Sequence, residues 1–150
     1  KGVDSSIVKI DNRYWLFSTK YSSSNKTDLH IWYADCLFGK WHAHDKNPIK
    51  SSTNRTRSAG RIFYLNNKIY RPTQNNTHSY GNSIFINEII KIEKNIFIED
   101  KKFEVLPPNE YAGIHNLDVI EGKILLDLKL NKFRLFAIFF KIFQRIKLKI

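Results

Sequence analysis

Methionine is absent from the 150 residues, cysteine occurs once, and the chain has only four prolines and six glycines. The single thiol, Cys36, excludes an intrachain disulfide and a Cys-rich zinc site. A translated chain begins with Met and this one begins at Lys1, so a fragment or processed product is expected. No N-terminal signal segment is visible. The longest uninterrupted apolar run, residues 135–140, is far short of the ~20 residues that span a bilayer. Before residue 130 no stretch has a convincing helical period. Acidic residues are missing from Lys129 onward, where seven Lys/Arg lie. The net charge of +11 is therefore uneven. Residues up to Leu128 hold the other 18 of the 25 Lys/Arg against all 14 Asp/Glu, a net +4. That distribution argues against a nucleic-acid-binding face spread over the body.

At 42% hydrophobic and 14% aromatic residues the chain is globular rather than disordered. Its apolar stretches come in pairs around short polar turns. Residues 7–10 and 14–19 flank Asp11-Asn12, and residues 29–34 alternate as the next strand. Residues 83–92 and 96–106 flank Glu93-Lys94-Asn95, with Pro107-Pro108 as the stop. Residues 114–120 and 123–130 flank Glu121-Gly122. This spacing fits an all-β sandwich, barrel or propeller. The aromatic-rich strands and a loose repeat of apolar strand, short turn and Tyr/Trp strand favour a propeller.

The most informative pair surrounds Asn66-Asn67, whose side chains tolerate the positive φ of a tight turn. Arg57, Arg61, Arg71 and Gln74 fall at the ends of that hairpin. Guanidinium groups grip oxyanions through two N–H bonds, and Gln both donates and accepts. Two readings stand: solvated arginines of a basic chain, or groups that hold a polyhydroxylated or phosphorylated ligand.

Residues 129–150 differ from the rest. On a helical wheel Arg134, Lys141, Gln144 and Arg145 share one sector, and Phe, Ile and Leu cover the remainder. An amphipathic helix is expected there, lying on an anionic membrane surface through residues 130–150 or packing on protein.

Several segments carry a family resemblance. Gly2-Val3-Asp4-Ser5-Ser6 with Trp15-Leu16-Phe17-Ser18-Thr19 resembles a blade opening in the five-bladed propellers of the arabinanase, invertase and levansucrase superfamily. More closely, Tyr33-Ala34-Asp35, Phe38-Gly39-Lys40-Trp41, Arg57-Ser58-Ala59-Gly60-Arg61, Tyr70-Arg71-Pro72-Thr73-Gln74, Tyr80-Gly81, Asn87-Glu88-Ile89 and Gly113-Ile114-His115-Asn116 resemble one particular domain. It is the propeller domain beside the catalytic domain of plant glucosamine inositolphosphorylceramide transferases. These segments are also similar to bacterial proteins of polysaccharide gene clusters. The resemblance implies a partial five-bladed β-propeller, about three blades over residues 1–128, with the amphipathic helix outside it. It implies a carbohydrate or glycolipid ligand and a fused or partner transferase domain, while the basic tail, outside the resemblance, leads to the expectation of a cytoplasmic, peripheral membrane location.

The resemblance also assigns roles. Asp4 falls where such propellers carry an auxiliary aspartate of the catalytic set. Arg57, Arg61, Arg71, Gln74, Tyr80 and His115 are the expected substrate-binding residues, and His115 is the candidate neighbour of a central cation. No other metal or cofactor is expected. Glycoside hydrolysis needs two carboxyls, but Arg57-Ser58-Ala59-Gly60-Arg61 holds no acid where the proton donor is expected. Glu88 and Glu110 are spare, with Glu88 expected at an exposed strand position. Whether the chain is catalytic or a non-catalytic binding module stays open. Trp41 is the best stacking candidate among the three tryptophans, and His42 and His44 form at most half a metal site.

Overall fold

The paired apolar stretches fold as antiparallel hairpins in the computed structural model, which describes residues 2–22, 26–52 and 54–130. Strands β1 (Val3–Ile10) and β2 (Arg13–Tyr21) turn at Asp11, whose φ is 52°. β3 (Thr27–Ala34) pairs with β2, and the short strands β4 (His42–Ala43) and β5 (Lys50–Ser52) both pair with β3, giving a five-stranded sheet. Alternation puts Trp15, Phe17, Leu29 and Ile31 on one face, all buried.

The second sheet is a four-stranded meander of β6 (Phe63–Leu65), β7 (Lys68–Asn75), β8 (Ser83–Ile92) and β9 (Phe97–Val105). Asn66 and Asn67, at φ 50° and 60°, make the expected turn. Two register shifts split its outer pair, one between Ile86 and Asn87 and one between Ile89 and Lys91. A strict two-residue alternation would put Phe97, Glu99, Phe103 and Val105 on one face. The extra residue Lys102 turns Val105 to the other side. The sheet therefore presents apolar residues on both faces. Ile69, Ile89, Ile92 and Phe97 pack on the first sheet, and Tyr70, Ile84, Ile86 and Val105 on the third.

That third sheet is a single hairpin of β10 (Gly113–Ile120) and β11 (Lys123–Lys129), turning at Glu121 and Gly122 with positive φ. Ile114 and Leu117 enter the second core with Ala59. Each fully buried Leu, Ile or Phe contributes about 1.5–3 kcal/mol, so the two cores are what join the three sheets. Among the described residues the chain is all-β, with no helix. The helix expected over residues 129–150 lies outside the described residues, apart from Lys129, which closes β11, and Leu130.

One expectation is corrected here. The sequence pattern places Arg71 and Gln74 at the end of the Asn66-Asn67 hairpin. In fact β7 runs through both. β6 is short, so beyond Tyr70 the inner side of β7 meets the loop of residues 54–62 rather than a strand. Ala59 N–H donates to Pro72 O (3.1 Å) and Gln74 N–H to Arg57 O (2.9 Å). A proline at such a place takes no ladder bond away. Strand alternation then sends Arg71 to the first core and Gln74 to the opposite face.

Candidate functional site

Two strand irregularities point to the same place. In β1 the register shifts between Val3 and Ser6, and Asp4 takes φ 49°. In β10 the register shifts between Ile114 and Asn116, which leaves His115 unpaired. Bulges re-aim side chains. Here both Asp4 and His115 line a cavity of about 500 Å3, within the range of small-molecule sites. All three sheets contribute to its wall. β1 supplies Asp4, Ser5, Ser6 and Ile7; the loop before β6 supplies Ser58, Gly60 and Arg61; β7 supplies Gln74; β10 and β11 supply His115, Asn116, Asp118 and Asp127.

The seam between the loop and β10 is backbone. Leu117 N–H donates to Ala59 O (2.8 Å), and Arg61 N–H donates to Asp118 Oδ1 (2.9 Å). Gly60 lies at that seam with φ 134°. Behind the wall Arg57 pairs with Asp4 through its Nε, and its guanidinium lies 4.9 Å from the centroid of the Tyr80 ring. Burial acts to lower the Arg57 pKa, but the hydrogen bond and charge of Asp4 outweigh it and raise the pKa above its ordinary value. The Tyr80 hydroxyl meets Nε2 of His115, whose Nδ1 faces Asp127 Oδ2 at 3.4 Å. Gln74 Nε2 donates to His115 O (3.4 Å). The imidazole is thus contacted at both nitrogens, and the His115 backbone carbonyl accepts from Gln74. Ser58 lines the wall, and its Oγ is buried without a hydrogen-bond partner.

Of the seven residues singled out from sequence, Asp4, Arg61, Gln74 and His115 line the cavity. Arg57 and Tyr80 do not line it but brace Asp4 and His115. Arg71 lies elsewhere, and its reading as a ligand group is corrected. It is 0% exposed between the first two sheets. Its Nε and Nη2 each bond Glu99 at 2.8 Å, Nη2 also reaches Arg55 O at 2.8 Å, and Lys50 pairs with Glu99 from the first sheet. Its role is to carry a buried ion pair across the sheet interface.

Other expectations shift as well. Glu88 is largely buried, pairing with Lys68 and Lys102 at 3.1 Å each, rather than exposed. Glu110 is exposed. Trp41 bonds Leu37 O and is not on the cavity wall. His44 is buried, with Nδ1 accepting from Lys46 N–H, while His42 stacks on Tyr33. Among the described residues no group of three or more His, Cys, Asp or Glu is arranged to hold a metal ion. The sequence reading missed Asp118 and Asp127. The signal was there in Asn116-Leu117-Asp118-Val119, where alternation puts Asp118 on the Asn116 side, and Asp127 pairs with Asn116 across the hairpin. Chemically the wall offers carboxylates, amides and hydroxyls, a set suited to hydrogen-bonding a polyol.

A second hollow, about 700 Å3, lies at the other end of β1 among turn residues that include Asp11, Arg13, Glu93 and Lys94. Among the described residues no buried polar side-chain atom lacking a partner lines it, and no bulged residue of a described strand lies on its wall.

Comparison with known proteins agrees with the motifs. The chain is 33% identical over 102 residues to glucosamine inositolphosphorylceramide transferase 1 of Oryza sativa subsp. japonica. It is 32% identical over 102 residues to the protein of the same name in Arabidopsis thaliana. Each match covers 65% of this chain but only 14% and 13% of those relatives. No solved structure matches. Residues 1–112 match the family described as glucosamine inositolphosphorylceramide transferase 1, N-terminal, and the chain belongs to that family.

Proposed function

We propose that this chain is a carbohydrate-binding module of a glycan or glycolipid biosynthesis protein, in which the cavity holds a sugar or polyol group. The carrying observation is the convergence of Asp4, Arg61, Gln74 and His115, from three sheets, on one polar cavity. The family supports the glycolipid context, since its relatives are named as transferases for inositolphosphorylceramide. On this reading the three sheets are successive blades of a five-bladed propeller. In support, β1 opens the first sheet, β10 opens the third, and the loop that leads into β6 opens the second. All three line the cavity, as the inner strands of blades line a funnel. Transfer chemistry belongs to a separate domain, fused or partner.

The test is titration of the chain with a neutral methyl glycoside and with inositol, followed by amide chemical shifts. Shifts are expected at residues 4–7, 58–61 and 114–118. Gln74→Ala and His115→Ala should each weaken binding about tenfold, the equivalent of about 1–2 kcal/mol for a lost hydrogen-bond partner. Binding untouched by both substitutions would remove the cavity from the reading.

An enzymatic reading has one observation in its favour: three carboxylates, Asp4, Asp118 and Asp127, share the cavity with a histidine. Glycoside hydrolysis requires two such groups. Release of nitrophenol from aryl glycosides, lost in Asp118→Asn or Asp127→Asn, would establish it.

Residues 130–150 are proposed as a membrane anchor on the cytoplasmic face. Their six Lys/Arg without an acid, each adding about 1 kcal/mol near an anionic surface, exceed the cost of ordering the segment. Among the described residues no helix is long and apolar enough to cross a membrane. The intact chain should sediment with anionic vesicles and lose that binding in high salt, while a chain ending at Leu128 should stay in the supernatant. Equal sedimentation of the two would discard the anchor.

A further inference from the structure

We propose that the third sheet is completed by a second copy of this chain, whose β11 pairs antiparallel with this β11 about a two-fold axis at Leu125. That sheet has two strands where the others have five and four. The other side of β10 is already taken, since Ile114 N–H donates to Gly81 O (2.8 Å) and Leu117 N–H to Ala59 O (2.8 Å). The outer side of β11 has no strand beside it among the described residues. Sheets guard such edges with short strands, bulges or lysines. The outer strands of the other two sheets do this: β4 and β5 hold two and three residues, and β9 has two register shifts and the Lys101-Lys102 pair. β11 runs unshifted from Lys123 to Asp127. It shows three successive apolar residues to water, Ile124, Leu125 and Leu126, at 64%, 56% and 37% exposure.

The occupant follows from the order of charges along the strand. With Leu125 opposite Leu125 of the copy, Lys123 stands opposite Asp127, Ile124 opposite Leu126, and Glu121 at the turn opposite Lys129. Every charge meets its opposite, and each meeting occurs twice by symmetry. Other registers lose this. Centring on Ile124 sets Glu121 against Asp127, centring on Leu126 sets Lys123 against Lys129, and a one-residue slip sets Lys123 against Leu126 or Leu128. The charges are available. Glu121, Lys123 and Lys129 are exposed and enter no ion pair among the described residues. Asp127 is 66% exposed and faces only the His115 ring, at 3.4 Å. Alternation puts Lys123, Leu125 and Asp127 on one face. Ile124 and Leu126 fall on the other, where Val119 and Leu128 already pack on the second core. The product is a continuous four-stranded sheet with that apolar row prolonged across the axis. Because Asp127 lines the cavity, Lys123 of the second copy comes to its rim.

The test is sedimentation velocity of the full chain over about 1–500 µM, with a dimer Kd on the order of 10–100 µM expected for so small an interface. Lys123→Glu and Asp127→Lys should each weaken the dimer at least about tenfold, because two attractive pairs become repulsive. Mixed in equal amounts, the two variants should recover it, since each then carries the charge the other lacks. Recovery on mixing also shows that both fold. The two changes made together in one chain should dimerise like the unmodified protein. Association driven by residues 131–150 would be indifferent to all of these changes, and that result overturns the proposal. Two weakened variants that stay apart on mixing overturn it too. So does a full chain that is monomeric at about 500 µM, because the edge is then covered by other residues of the chain or by a different protein.

Discussion

Replacing Glu99 by Gln should lower the unfolding free energy by about 3–5 kcal/mol, the usual cost of stranding one member of a buried ion pair. The partner stranded is Arg71, fully buried and gripped at both Nε and Nη2 by the Glu99 carboxylate. Lys50, the third member, is 27% exposed and can turn to water, so Arg71 is the charge left stranded. The double variant Arg71→Met with Glu99→Leu should recover most of the loss, because no fully buried charge is then left unpaired and Lys50 can turn to water. Denaturant unfolding of the three proteins measures this. A loss below about 1 kcal/mol in Glu99→Gln would show that the pair is not what joins the two sheets.

The same pair sets an acid limb. Burial alone would raise the Glu99 pKa, but the charges and hydrogen bonds of Arg71 and Lys50 outweigh it and hold it at about 2, against an ordinary 4.5. Burial, with repulsion from Arg71, pulls the Lys50 pKa below its ordinary value despite Glu99. A carboxyl whose folded-state pKa is depressed stabilises fully above its unfolded pKa and loses that contribution as pH falls through the folded value. Stability should therefore drop between about pH 4.5 and pH 2, by roughly 3 kcal/mol on this account. Glu99→Gln should lack that part of the acid limb.

Gly60→Ala should be comparably severe and should also close the cavity. A Cβ at this position would sit 1.8 Å from Leu117 O and 2.8 Å from Leu117 C, both backbone atoms that cannot rotate away. The φ of 134° is itself a conformation that L side chains rarely adopt. Relief requires the loop to part from β10, which costs the Leu117–Ala59 and Arg61–Asp118 bonds. Loss of these two hydrogen bonds, of which the Arg61–Asp118 bond is exposed, plus strain of about 1–3 kcal/mol puts the total at about 2–4 kcal/mol. The readouts are the thermal midpoint and the amide shifts of residues 114–118. An unchanged midpoint would mean that the loop and β10 are not joined as described.

The hairpins were legible in the sequence because their causes are local. Apolar alternation and turns such as Asn66-Asn67 and Glu121-Gly122 act within a few residues, and they set the turns and the pairing of neighbouring strands, though β1 begins earlier, at Val3, and β7 runs on to Asn75. The family motifs were legible for the same reason: Arg57 to Arg61 and Tyr80-Gly81 are short and contiguous. Which side chains share a space was not legible. Arg71 and Gln74 are three residues apart and look alike as polar hairpin ends. Strand continuation through Pro72 puts one in an ion pair between sheets and the other on the cavity wall. Asp118 and Asp127 became visible as cavity residues only when β10 docked against the loop before β6. A side chain's face depends on strand parity, and parity is reset by each bulge. Where the bulges fall is decided by packing between sheets far apart in sequence, which only the tertiary structure supplies.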